Sequence, residues 1–191
     1  MYLYRCAKRG DFDKNCPQVP VINGNNTHQY EDRVEYVHFF RYAKDAEYYF
    51  RKNHEYIKNS NYHVGYMVID VDENEITKYI CYRIYVIGPI FLENDKNLYR
   101  PILEYAIPKA LYDSYCKKYF FKAKEEYSEN VNSKELFYDR IPDEFRNDDE
   151  YEKYLNLINE LSIKYNGNAE LIGEEILLAY QPYSRKWINI N

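Results

Sequence analysis

The chain has 191 residues, 46% of them hydrophobic, and a formal net charge of -5. That is about one domain's length, with enough apolar content for a core, and the acidic balance argues against a protein built to neutralise nucleic-acid phosphates. The apolar content is dominated by 25 Tyr and 9 Phe against one Trp, so core and clefts must be made largely of rings, most of them with a polar tip.

In chain order, residues 2–6 read as a first strand. Residues 10–30 are polar and turn-rich, with Pro17, Pro20 and Asn23-Gly24-Asn25-Asn26, a loop long enough to carry function. Residues 34–40 alternate as a second strand. Residues 43–52 then take helical spacing, with Ala43, Ala46 and Phe50 on the face to be buried. Residues 65–71 hold the β-formers of a half-buried strand, and 79–88 those of another. The two are expected to pair, with 72–78 as their connection. From 102 to 127 the pattern reads as mostly helical, with Pro108 kinking or splitting it. Tyr151, Tyr154, Leu155, Ile158, Leu161 and Tyr165 form a helical stripe that Asn166-Gly167 closes. Residues 174–180, EEILLAY, read as a late strand, and 185–190 as a last one. This order predicts an α+β fold with a mixed or antiparallel sheet rather than repeated βαβ units. It is expected as a single domain over 1–191, with 89–168 a mostly helical insertion.

Chemistry-bearing motifs are few. Cys6, Cys16, Cys81 and Cys116 show neither CxxC nor zinc spacing and read as free thiols. Neither a secretory signal nor a transmembrane run is readable, so a soluble chain in the cytoplasm, its own or a host's, is expected. The stretch from Asp70 to Asn74 begins like a calcium loop, but Glu75 replaces the glycine and Cys81 the final acid, so it reads as a turn. His28, His38, His54 and His63 form no HExxH, and GxSxG, GxGxxG and Walker motifs are absent. Three features stand out. Arg5 is a cation inside a strand, which pairs, snorkels or faces a cleft. His38-Phe39-Phe40 closes the second strand. Glu174-Glu175 opens EEILLAY, as an exposed strand start or a cleft carboxylate.

Together these features resemble the cholera-toxin-like mono-ADP-ribosyltransferases. The opening Tyr2-Leu-Tyr-Arg5 and the run to Asp11 resemble that family's LYRxxxRxxD strand. Residues 34–50, VEYVHFFRYAKDAEYYF, look like its second block, a strand followed by an Ala-rich helix, with His38-Phe39-Phe40 where the family has Ser-Thr-Ser. Residues 65–71 are similar to the strand that follows. Residues 174–184 resemble the strand with the catalytic glutamate, although the acidic pair is one residue short of Glu-x-Glu. The resemblance covers a little over a third of the chain. Val37-His38-Phe39-Phe40 is also similar to the VHLS block of the related RNA 2'-phosphotransferases.

What the resemblance implies is an ADP-ribosyltransferase-like domain with sheets around a cleft, using NAD as substrate. Glu175, or Glu174 by a one-residue shift, would stabilise the oxocarbenium-like sugar and orient the incoming nucleophile. Arg5 would grip the pyrophosphate or ribose. Phe39, Phe40 or Tyr48 would wall the nicotinamide, and His38 would bond a ribose hydroxyl or phosphate. ADP-ribose would pass to a protein or small-molecule acceptor; the acidic charge argues against nucleic acid as partner, and the lack of a transmembrane run against a membrane. A second reading is a non-enzymatic protein-binding inhibitor, since tyrosine is enriched at interfaces. A third, RNA 2'-phosphate transfer, predicts basic residues such as Arg41 and Arg51 near His38.

Overall fold

A computed structural model of the chain describes residues 1–8, 28–29, 34–53, 64–87, 98–122 and 141–180. Among the described residues are seven strands: β1 (Tyr2–Lys8), β2 (His28–Gln29), β3 (Glu35–Phe40), β4 (Val64–Asp70), β5 (Ile80–Ile87), β6 (Leu98–Pro108) and β7 (Lys117–Lys122). The helices are α1 (Ala43–Asn53), α2 (Glu73–Ile76), α3 (Lys109–Ser114), α4 (Asp148–Lys164) and α5 (Ala169–Tyr180). They fall into two compact units, Met1–Asp72 with Ala106–Arg146, and Glu73–Tyr105 with Asn147–Asn191.

The first unit carries an open antiparallel sheet of five strands, β3-β1-β4-β7 in order with the short β2 paired to β3. Register fixes which residues share a face, because side chains alternate along each strand. Tyr4 lies opposite Phe40 on one side and Val68 on the other, and Val68 opposite Lys118. One residue on, Arg5 lies opposite Met67, and Met67 opposite Tyr119. The Tyr4 face is covered by α1. Ala43 and Ala46 are buried there, small enough to bring the helix close to the sheet, and the Phe40 and Tyr49 rings meet at 5.0 Å. The Tyr66 hydroxyl donates to Glu47 Oε2 at 2.6 Å, supplying a partner that this fully buried carboxylate needs. Burial, then the Glu47 charge, push the Tyr66 phenol well above its ordinary pKa. On the same face the Tyr4 hydroxyl donates to the Phe145 carbonyl at 2.7 Å, and the Phe145 ring lies 5.4 Å from Tyr2. The Arg5 face is covered by α3, whose Tyr112 stacks on Phe39 at 5.8 Å.

In the second unit β5 and β6 form an antiparallel pair, from Ile80 opposite Tyr105 to Ile87 opposite Leu98. Helix α4 buries Tyr151, Tyr154, Ile158 and Leu161, a spacing that keeps one stripe inward. The Tyr154 hydroxyl donates to the buried Pro101 carbonyl of β6. The turn after α4 reverses the chain in left-handed backbone, with Asn166 at φ 50° and Gly167 at φ 75°, and the Gly167 amide donates to the Ser162 carbonyl at 2.8 Å. Asn168 Oδ1 then accepts from the amides of Glu170 and Leu171 and caps α5.

The strands expected over 2–6, 34–40, 65–71 and 79–88 and the helices over 43–52 and 151–165 are found within a few residues of those limits. Four expectations are corrected. Residues 102–127 are not mostly helical: β6 and β7 occupy much of that span, and only α3 is helix within its described part. The cause is burial of every residue from Pro101 to Ile107, because a strand covered on both faces has no alternation to distinguish it from a buried helix. Residues 174–180 are not a strand but the end of α5. Residues 65–71 and 79–88 do not pair, since β4 has β1 and β7 on its two edges and β5 pairs with β6. Their connection is the short helix α2 with a 3-10 turn, rather than a hairpin turn. Finally, His28–Gln29, expected within a loop, pair with β3. The last expected strand, 185–190, and the expected loop outside β2 lie outside the described residues.

Two substitutions test this packing. Tyr66→Phe should lower stability to chemical denaturation by about 1–3 kcal/mol, the cost of withdrawing a donor from the buried Glu47 carboxylate. Gly167→Ala should cost about 1–2 kcal/mol, because the left-handed backbone rather than lack of room is what disfavours a side chain there.

Candidate functional site

The residues singled out from sequence fall in three places. The first is the Arg5 face of the five-stranded sheet. Arg5 is half-buried, and its guanidinium donates to the His38 carbonyl at 2.9 Å. Next to it across the strands, Met67 Sδ accepts from the Tyr112 hydroxyl at 3.5 Å. Burial drives the Tyr112 phenol far above its ordinary pKa, with the nearby Tyr119 adding to the rise and the Arg5 charge opposing it. The Lys117 ammonium stands 4.5 Å from the centre of the Tyr112 ring and donates to the Tyr115 carbonyl at 2.9 Å. Burial lowers its pKa. This face thus joins two cations, Arg5 and Lys117, to the phenols of Tyr112 and Tyr119, a set of donors suited to an anion. Its apolar members, Phe39 and Tyr112, are buried and already stacked on each other.

The second place is the opposite face. Strand alternation sends His38 and Phe40 to the α1 side, away from Phe39. Both are buried. The sequence reading set Phe39 and Phe40 as a wall for the nicotinamide with His38 beside them on the ribose or phosphate; the sheet divides the three, leaving Phe39 with Arg5 and His38 with Phe40. Tyr48 is carried by α1, and its side chain lies outside the described residues. Arg41, expected near His38 on the RNA reading, is buried just after β3, and the side chain of Arg51 also lies outside the described residues.

The third place is the α4–α5 hairpin of the second unit, where Glu174 and Glu175 stand on a helix. The Glu175 carboxylate accepts from the Tyr165 hydroxyl, and from Lys164 Nζ at 3.2 Å. The Tyr165 hydrogen bond first, and then Lys164, hold its pKa below the usual carboxylate value. Glu175 therefore fastens the end of α4 to the middle of α5. Glu174 is one residue round the helix and exposed. Arg5 belongs to the first unit and both glutamates to the second.

Sequence reasoning missed what lies beside Glu174. Helix α5 buries Ile172, Gly173, Ile176 and Leu177, and on its outer side Leu171 is 41% and Leu178 57% exposed. Helical spacing puts Leu171, Glu174 and Leu178 on one stripe. Counting from the Asn168 cap rather than from Glu174 would have revealed it, since Ile172, Ile176 and Leu177 then satisfy the inward face and leave two leucines over.

Among the described residues no group of three or more His, Cys, Asp or Glu side chains is placed to hold a metal ion. No described helix is long and apolar enough to cross a membrane. No protein-family model matches the chain, and neither does any curated protein or solved structure.

The lowered Glu175 pKa sets a pH window. A depressed carboxylate contributes stability above its unfolded pKa and loses it as pH falls through the folded one. The thermal midpoint of Glu175→Gln should therefore lie below that of the parent at about pH 7, and the difference should begin to shrink as pH falls below the ordinary carboxylate pKa of about 4.3 and vanish only once pH has passed below the depressed one. Tyr165→Phe should show the same pH dependence, because its hydroxyl is the main cause of the depression.

Proposed function

We propose that this chain acts as a protein-binding module, the second of the readings drawn from its sequence. The observation that carries it is the outer stripe of α5, where Leu171 and Leu178 are exposed on one helix face. One exposed leucine is ordinary. Two on the same stripe of a capped, clamped helix are a preformed apolar contact that needs little ordering when a partner arrives. Covering the exposed part of both is worth about 1.5–3 kcal/mol, enough to bias docking and well short of a complete interface.

Transfer of ADP-ribose from NAD, with Glu175 or Glu174 as the catalytic carboxylate, is the other reading. In its favour, Arg5 lies on the same sheet face as the Phe39–Tyr112 stack, a cation beside rings. Against it, the segment proposed as the glutamate strand is a helix, and Glu175 already serves Tyr165 and Lys164. Binding through α5 asks no change of either.

Incubation of the purified chain with NAD, following nicotinamide release, separates the two readings. The binding reading expects no release above buffer background, in the parent or in Glu175→Gln. Turnover by the parent that disappears in Glu175→Gln would establish transfer instead.

A further inference from the structure

From the pattern on α5 we infer the chemistry of the partner, an inference that rests on the protein-binding reading: a helix of another protein presenting apolar side chains seven residues apart, with lysine or arginine between and beside them. Leu171 and Leu178 are themselves seven apart on α5, about 10.5 Å along its axis, the interval at which a partner helix inserts successive apolar residues. Glu174 stands between them and Glu170 beside them, both exposed. The α5 sequence AELIGEEILLAY holds three glutamates and no basic residue, and among the described residues Lys164 pairs with Glu175. Glu170 and Glu174 have no ion pair among the described residues. An acidic or uncharged partner helix would leave Glu174 desolvated against apolar surface, which is costly. A cation at the facing position removes that cost, and the contact then selects against the wrong partner as well as favouring the right one. The acidic first turn of α4, Asp148, Asp149 and Glu150, lends the same hairpin further negative field.

The test uses the full chain and three fluorescently labelled helical peptides with leucine every seventh residue, bearing lysine, glutamine or glutamate at the intervening positions. Binding is read by anisotropy. The lysine peptide should bind at least tenfold more tightly than the other two. Leu171→Ser with Leu178→Ser, both exposed and without charge change, should weaken it at least tenfold. Glu170→Gln with Glu174→Gln should weaken it severalfold and flatten its salt dependence. Glutamine and lysine peptides bound equally, both lost with the two serines, would keep the protein-binding reading and overturn the basic partner. Binding indifferent to the serine substitutions would overturn both. Two further outcomes would assign the stripe elsewhere and overturn the proposal: a concentration-dependent dimer abolished by the serines, meaning a second copy, or a tenfold gain in peptide binding on Arg185→Glu with Lys186→Glu, meaning the chain's own C-terminal residues.

Discussion

A core built of tyrosine must find an acceptor for every hydroxyl it buries, and the architecture follows from how that need is met. Tyr4 reaches the Phe145 carbonyl, Tyr66 the Glu47 carboxylate and Tyr154 the Pro101 carbonyl, while Tyr112 meets the softer Met67 sulfur. Each hydroxyl joins residues distant in sequence within one unit, so each acts as a tie between elements as well as a filler of volume. Leaving such a group unmet costs about 1–3 kcal/mol, a sizeable part of a typical domain's stability. These ties fix where α1, α4 and the 3-10 turn at Asp143–Phe145 rest on their strands.

The same logic governs the groups that looked catalytic. Tyr165 gives its hydroxyl to Glu175, and Lys164 adds a charge to the same carboxylate. The acid is thereby held ionised and close to the α4–α5 turn. Arg5 likewise spends a guanidinium N–H on the His38 carbonyl. A carboxylate and a cation can be chemically well suited to a reaction and still be structural ties, and their bonding partners decide which description fits. What the ties leave over is a stripe, Leu171, Glu174 and Leu178, on a helix stiffened by a cap at one end and a clamp near its middle. Rigidity of that kind lowers the entropic cost of docking.

Much of the fold was legible because some segments carry an unambiguous period. Residues 36–40 are buried on both faces too, but the polar Glu35 and His38 and the short run before Ala43 mark a strand, and Tyr151, Tyr154, Ile158 and Leu161 recur at helical spacing; both were read correctly. Residues 101–107 were not, because burial on both faces erases the period. EEILLAY was misread for a related reason: seven residues with a central apolar run fit either a strand or a helix, and the deciding signal, the Asn168 cap, lies upstream of the quoted stretch. That error carried over to the site. Taken as a strand start, Glu174-Glu175 suggested a cleft carboxylate; on a helix, Glu175 turns to Lys164 and Tyr165, and Glu174 lies between two exposed leucines. Strand alternation alone separates His38 from Phe39, which adjacency in the sequence groups together.

The proposed partner of the outer α5 stripe is a basic, apolar helix. Photo-crosslinking from a probe placed at Leu178, with Ile163 as the comparison site, tests it most directly, because Ile163 is 85% exposed on α4 and lies outside the stripe. In native extract, with the crosslinked peptide sequenced, an adduct is expected from position 178 and none from 163, with lysine or arginine interleaved among apolar residues in the captured segment. Equal capture from both positions, or a captured segment that is acidic, would contradict it.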